Sequence, residues 1–282
     1  MAYVPLPQLN KVLRQHFLPV HRTARALHRF WADAEAPLIP AIRRFQGRTV
    51  LLHPKLLIFD LNQYEPHVLR WLSRSIKPGD CVVDVGANVG LLSLLMSKLC
   101  GKNGRVYSFE PSPANLRLLD YHKRKNGANQ ICIEPLAVSN RDGDSVSFFL
   151  LNEGDHGSNS LVFSRDDVPN LAEPLLRTRK EIRVPTVTLD RFCAEHQIRP
   201  SLIKIDVEGA ELMVLQGAVR LLSEVRPHLI LAIHPWWLPG GQTTDNIVSL
   251  LVSHGYQIHN PAGAATRTLD YCEYFASPNQ PG

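Results

Sequence analysis

The chain is short of several things, and each shortage removes a class of protein. No apolar run approaches the ~18 residues of a membrane span, and the N-terminus has no continuous apolar stretch of the kind a secretory signal carries. Cysteine is sparse: residues 81, 100, 132, 193 and 272 are odd in number, widely spaced and free of any C-x-x-C pair. They read as buried thiols of a reducing compartment, neither a disulfide frame nor a zinc site, so the expectation is a cytoplasmic protein. There is no G-x-x-x-x-G-K-[ST] for a nucleoside triphosphate, no H-E-x-x-H and no G-x-S-x-G elbow. No internal repeat or low-complexity tract interrupts the chain.

What is present suits one large α/β domain with an appendage: 282 residues, 44% hydrophobic. The net charge of +5 is unevenly placed, because residues 1–50 hold eight Lys/Arg against Asp33 and Glu35. The rest of the chain is close to neutral, which argues against a nucleic-acid partner, since that would want a basic face around the site. Residues 9–31 mix Leu9, Leu13, Phe17, Leu27 and Trp31 with Lys11, Arg14, Arg22, Arg25 and Arg29, and split at Pro19. They are expected to form two short amphipathic helices. Residues 1–60 are therefore assigned to a basic helical cap, with 48–60 as a small hairpin or extended lead-in. A peripheral membrane contact of the basic face, at the inner surface, is the sharper alternative to simple packing.

From residue 61 to 282 the pattern alternates. Apolar strands are expected at 81–85, 105–109, 131–133, 202–206 and 228–233, with helices at 64–73, 89–100, 114–126, 210–222 and 244–254. A final hairpin is expected at 256–259 and 273–276. The expected fold class is α/β, a three-layer Rossmann-like arrangement whose mostly parallel sheet carries its site at the carboxyl ends of the strands. Residues 145–151 and 181–188 alternate like an exposed strand pair. The polar stretch between them, 152–180, is the candidate lid over a substrate.

The turn Asp84-Val85-Gly86-Ala87-Asn88-Val89-Gly90 links the first of these strands to its helix. Its glycines are spaced G-x-x-x-G, and Asn88 stands where a dinucleotide site wants a glycine to admit the pyrophosphate. The acid at Asp84 suits a ligand with a cationic amino end and no phosphate, and S-adenosylmethionine is such a ligand. Glu110 ends the next strand, 24 residues after Gly86, where an acid accepts hydrogen bonds from ribose hydroxyls. Asp84, Gly86, Asn88, Gly90 and Glu110 are the candidate cofactor residues.

A second constellation is Lys204-Ile205-Asp206-Val207-Glu208-Gly209-Ala210-Glu211. Asp206 ends the strand expected beside the first. Lys204, inside an apolar strand, needs an ion-pair partner. Glu211 reads as a first-turn acid complementing the helix dipole. His234 ends the fifth strand, where an imidazole accepts a substrate proton near neutral pH, and Trp236 and Trp237 follow it as a wall for a sugar or macrocycle, or as rim packing. Asp206, His234 and Glu208 are the candidate catalytic residues. The site is read as metal-free; the competing version has Asp206 and Glu208 hold Mg²⁺.

The stretches VVDVGANVGLLSLLMS, VYSFEPSPANLRLL, VPTVTLD and LIKIDVEGAELMVLQGA, in that order, resemble the FkbM family of S-adenosylmethionine-dependent methyltransferases over roughly residues 64–277. The resemblance implies a seven-stranded sheet whose last strand is antiparallel, and O-methylation of a hydroxyl on a small-molecule or glycan acceptor such as a sugar of a glycolipid or a polyketide. It further implies that Asp84, Gly86 and Asn88 line the methionine end, that Glu110 holds the ribose, and that Leu136, Ala137 and Val138 flank the adenine. Asp206 and Glu208 belong to its active-centre motif. Two readings from other classes stand beside it: an NAD-linked oxidoreductase, against which Asp84 and Asn88 speak, and a non-catalytic module tethered to a membrane.

Overall fold

In a computed structural model of the chain, residues 39–58, 61, 64–151 and 179–279 are described. The helices expected at 9–31 and most of the candidate lid at 152–180 lie outside them. Five short apolar runs supply the centre of the molecule: β3 (Cys81–Val85), β4 (Arg105–Phe109), β5 (Ile131–Glu134), β9 (Leu202–Ile205) and β10 (His228–Ile233). Such runs, apolar on both faces, pair in parallel and demand helices above and below. With β11 (Tyr256–His259) and β12 (Cys272–Pro278) they form a seven-stranded sheet in the order β11-β12-β10-β9-β3-β4-β5. β12 runs antiparallel to both of its neighbours, β10 and β11, so the last strand alone is reversed. The strand order turns back between β3 and β9, which places the carboxyl ends of those two strands at the switch point where open α/β sheets bind ligands.

Side chains alternate across the sheet. Val82, Leu202 and Ile230 pack on α1 (Pro66–Ser75) and α2 (Leu91–Cys100), while Val83, Val85, Ile203 and Ile205 face α4 (Leu189–Glu195), α5 (Glu211–Gln216) and α6 (Thr244–Ser253). α6 begins in a capping box between Thr243 and Asn246, which satisfies two orphan donors of its first turn. α3 (Pro113–Lys125) lies over α2, and Gly90 admits it: a Cβ there would sit 2.0 Å from Leu119 Cδ1.

Two expectations change. The hairpin or extended lead-in expected at 48–60 begins earlier, inside the segment assigned to a helical cap: β1 (Ala41–Phe45) and β2 (Arg48–Leu52) form a hairpin. Its two-residue turn, Gln46-Gly47, has positive φ at both positions, the geometry that matches the right-handed twist of paired strands. Phe45, Val50 and Leu52 are buried in the same core as α1 and α2, so this part of the N-terminal segment packs as body rather than appendage. The strand pair expected at 145–151 and 181–188 is present as β7 (Gly143–Leu151) and β8 (Arg179–Val187), and it is antiparallel. It stands apart from the main sheet, in a three-stranded sheet with β6 (Ala137–Val138). The helix expected over 210–222 stops at Gln216 and resumes as a single wide turn at Leu221–Val225. The Asp190 carboxylate accepts from the backbone N–H groups of Arg220 and Leu221 at that restart.

Candidate active site

A cleft opens at the carboxyl ends of β3, β4 and β9, lined by Asp84, Gly86, Glu110, Leu136, Lys204 and Asp206 among others. Asp84 and Lys204 are cross-strand partners in the β3–β9 register, so the lysine inside β9 emerges beside the acid at the end of β3. Lys204 Nζ lies 3.0 Å from Asp206 Oδ2 and 3.9 Å from Asp84 Oδ1. It is buried, and burial alone would lower its pKa; the charges of Asp206, Asp84 and Glu65 outweigh that and keep the ammonium charged. The ion pair expected for Lys204 is therefore present, with two carboxylates rather than one.

Asp84 is completely buried. One of its oxygens accepts from Ser93 Oγ, which in turn accepts from Ser108 Oγ. Its other oxygen, Oδ1, has no hydrogen-bond partner and faces the cleft beside Asn88, whose Oδ1 is likewise unsatisfied. Buried acceptors left without donors are costly, and two of them at one end of a cleft fit a cationic amino group. Glu110 Oε2 accepts from the Asn88 N–H and Oε1 from the Ser112 N–H, both at 2.8 Å. Burial pushes its carboxyl up to about 7 against those bonds. A carboxylate offers about four lone-pair positions, so acceptor capacity remains for a ribose. Leu136, Ala137 and Val138 line the opposite wall.

The two motif glycines have packing reasons the sequence did not display. A Cβ on Gly86, where φ is +77°, would lie 1.8 Å from the carbonyl oxygen of Asp206; the β3 and β9 turns touch there, backbone to side-chain-free backbone. Gly86 also lines the cleft, whereas Gly90 is outside it and serves the α2–α3 contact.

At the other end Asp206, Glu208 and His234 come together. His234 Nε2 is 3.2 Å from Glu208 Oε2 and 4.0 Å from Asp206 Oδ1. Its Nδ1 lies 2.7 Å from Glu211 Oε1, which also accepts from the Gly209 N–H. Glu211 stands in the first turn of α5, as expected, but it is fully buried and has a partner that its place in the helix does not reveal. It holds the imidazole through Nδ1–H and turns Nε2 toward Glu208. Burial works to lower the His234 pKa, but the Glu211 hydrogen bond and the charges of Glu208, Glu211 and Asp206 raise it to about 9. Burial pushes Glu208 up as well, in part offset by His234. The two groups face one another at 3.2 Å, with no hydrogen bond closed at Glu208 Oε2, and the imidazole's hydrogen bond goes to Glu211. Asp206, by contrast, is held below the usual carboxylate range: Lys204 and His234 overcome its burial. Among the described residues Asp206, Glu208 and His234 are also the one group of three ligating side chains within reach of a common ion. An imidazole in the set suits a transition metal better than Mg²⁺.

Sequence reasoning missed Tyr64, Glu65 and Phe148. Tyr64 and Phe148 line the cleft. Glu65 is bonded to Tyr64 and feels Lys204 and Asp206; burial is the main cause that lifts it to about 7. It adopts a left-handed conformation at φ 39°, a strained backbone for a non-glycine residue and one that clusters at functional sites. Tyr64-Glu65 read only as a helix start, because its proximity to β9 is purely tertiary.

A family model described as the methyltransferase FkbM domain matches residues 84–258. Among curated proteins, the hexuronic acid methyltransferase AglP of Haloferax volcanii is 27% identical over 60% of this chain and 62% of its own length. The 31-O-demethyl-FK506 methyltransferase FkbM of Streptomyces tacrolimicus is 30% identical over 65% of this chain and 75% of its own length. A crystal structure of the methyltransferase FkbM from Methylobacillus flagellatus aligns with TM-score 0.43 and 18% identity, over 91% of this chain and 59% of that one. The chain thus spans less than two thirds of the Haloferax enzyme and of the Methylobacillus structure. The matched stretch runs from the acid that ends β3 to the edge strand β11 and takes in both poles of the cleft: the chain belongs to the FkbM methyltransferase family.

Proposed function

We propose that this protein is an S-adenosylmethionine-dependent O-methyltransferase acting on a hydroxyl of a sugar or polyketide-type acceptor. The observation that carries the reading is the pairing of buried acceptors without hydrogen bonds, Asp84 Oδ1 and Asn88 Oδ1, with an imidazole, His234, that Glu211 holds 3.2 Å from Glu208. The names of the two relatives, which give a hexuronic acid and 31-O-demethyl-FK506 as what they methylate, support the acceptor class.

In this reading Asp84 and Asn88 receive the amino end of the cofactor, Glu110 its ribose, and Leu136 and Ala137 its base. When bound, the cofactor supplies a sulfonium-activated methyl group for in-line displacement. The chain's own work is positioning and proton removal, since an alcohol is a poor nucleophile until its proton leaves. His234 Nε2 takes that proton once the imidazole has lost its own; Glu208 orients the hydroxyl, and Glu211 fixes the ring. Asp206 stays anionic under Lys204 and sets the field around the reacting atoms. A general base of this kind contributes ~10²–10⁴-fold.

The reading is metal-free. Activity should survive EDTA; a collapse restored by a divalent ion would move Asp206, Glu208 and His234 from base to ligands. The cofactor assignment is checked by thermal shift: S-adenosylhomocysteine should raise the melting temperature and NAD should not. A response to NAD alone would sink it.

A further inference from the structure

We propose that Trp236 and Tyr271 form the acceptor shelf of this site, and that the shelf takes a neutral, hydroxylated six-membered ring. The inference rests on the O-methyltransferase reading. Trp236 is 71% exposed and Tyr271 58% exposed. Single exposed aromatics need no explanation, but these two are in ring contact at 5.4 Å and continue inward. Tyr271 meets His234 edge-on at 5.4 Å, and His234 lies parallel to Trp237 at 5.3 Å. An aromatic row therefore runs from solvent to the imidazole. The β10–β12 register produces it, since Cys272 pairs with Ile233 and brings Tyr271 beside His234.

The shelf is rigid relative to the reacting groups. Trp236 and Trp237 sit in one short turn, Pro235–Trp237. Gly209, at φ +102°, lies so close beneath it that a Cβ would be 2.2 Å from the Trp237 carbonyl oxygen. The loop that carries Glu208 and the turn that carries the tryptophans are thus locked together, and rigid support of this kind is what precise positioning requires. None of the shelf residues lines the cofactor cleft; His234 and Glu208 stand where cleft and shelf meet.

Charge selects among rings. Lys204 is the one Lys or Arg among the described residues that line the cleft, and it is committed to Asp84 and Asp206. A carboxylate on the acceptor would approach Asp206 and Glu208, and the two cations beside them are already held by acids, Lys204 by Asp84 and Asp206 and the His234 imidazolium by Glu211. Saturated rings present their C–H faces to aromatic planes and keep their hydroxyls at the rim, which suits a neutral ring on Trp236 and Tyr271 with one hydroxyl at His234.

The test is saturation-transfer NMR on the full chain loaded with S-adenosylhomocysteine, using methyl glucopyranoside and methyl glucuronopyranoside, two rings that differ at C6. The neutral ring should bind at least tenfold more tightly. Trp236→Ala with Tyr271→Ala should weaken it at least tenfold, Tyr271→Phe should not, and the thermal shift with S-adenosylhomocysteine should persist in every variant. Equal or tighter binding of the uronide, no binding of the neutral ring, or unchanged binding in the double variant would overturn the shelf. Loss of the thermal shift in the unaltered protein would instead sink the methyltransferase reading on which it rests.

Discussion

Asp84 and Asp206 end neighbouring strands, share Lys204, and behave differently. Asp84 is sealed: helix α2 covers it, Ser93 donates to one oxygen, and the other has Lys204 at 3.9 Å but no hydrogen bond. Asp206 keeps about a quarter of its side chain exposed, beside Glu208 and His234. Burial raises the first carboxyl, while Lys204 and His234 hold the second down. The contrast teaches a division of labour within one cleft. The β3 pole is a closed receptor whose unmet hydrogen-bonding capacity is specific for a donor. The β9–β10 pole is less closed and sets an imidazole among three carboxylates.

Removing the shared lysine should break both poles at once. Lys204→Met leaves two carboxylates facing each other in the interior, and stranding buried charge of this kind costs ~3–5 kcal/mol. Denaturant titration should show that loss; an unchanged midpoint would mean the carboxylates are neutral and the pairing is not what holds the turns. The catalytic pole can then be broken alone. His234→Ala should lower turnover ~10²–10⁴-fold and leave S-adenosylhomocysteine affinity within a few-fold, as calorimetry would report. Asp84→Asn should do the converse: cofactor affinity falls at least tenfold, because the amide cannot balance an ammonium, while the folded state persists. If both variants lost affinity equally, the two poles would be one.

The pH profile sharpens the contrast with a smaller effect. His234 must be neutral to accept a proton, and its pKa lies near 9, so turnover should rise with pH through that value and fall as pH drops below it. Glu211→Gln removes a hydrogen-bonded anion from the imidazole, which lowers that pKa and should carry the limb to lower pH. A limb that stays in place would show that Glu211 is merely packed. The smallest effect expected is at the glycines. Gly90→Ala meets the end of a flexible Leu119 side chain, whereas Gly86→Ala meets the backbone carbonyl of Asp206. Melting temperature should fall more for Gly86→Ala, since backbone yields less readily than a side-chain terminus.

The sheet was legible because its strands are apolar runs bounded by glycine, proline and acid. Cys81–Val85, Arg105–Phe109 and His228–Ile233 stand where the pattern put them. The hairpin at 41–52 was less legible: an extended or hairpin stretch was expected only from 48 onward, because Gln-Gly is a weaker turn signal than Asn-Gly. Of the site, the acids at strand ends could be read directly, since position at a carboxyl end follows from the alternation alone. Glu211 could not. From its own neighbours it is a first-turn acid, and only the approach of β10 to α5 gives it His234, 23 residues away.

The amino-acid order by itself determined the elements and which strand ends carry acids, because hydrophobic periodicity and turn chemistry act over a few residues. The tertiary structure alone decided the partnerships. Lys204 lies opposite Asp84 through a parallel register, Gly86 is a glycine because Asp206 passes over it, Glu65 reaches the same lysine from α1, and Glu211 aims His234. Hydrogen bonds and ion pairs reach only a few ångströms, so which groups meet is settled by how the sheet orders its strands and not by their separation along the chain.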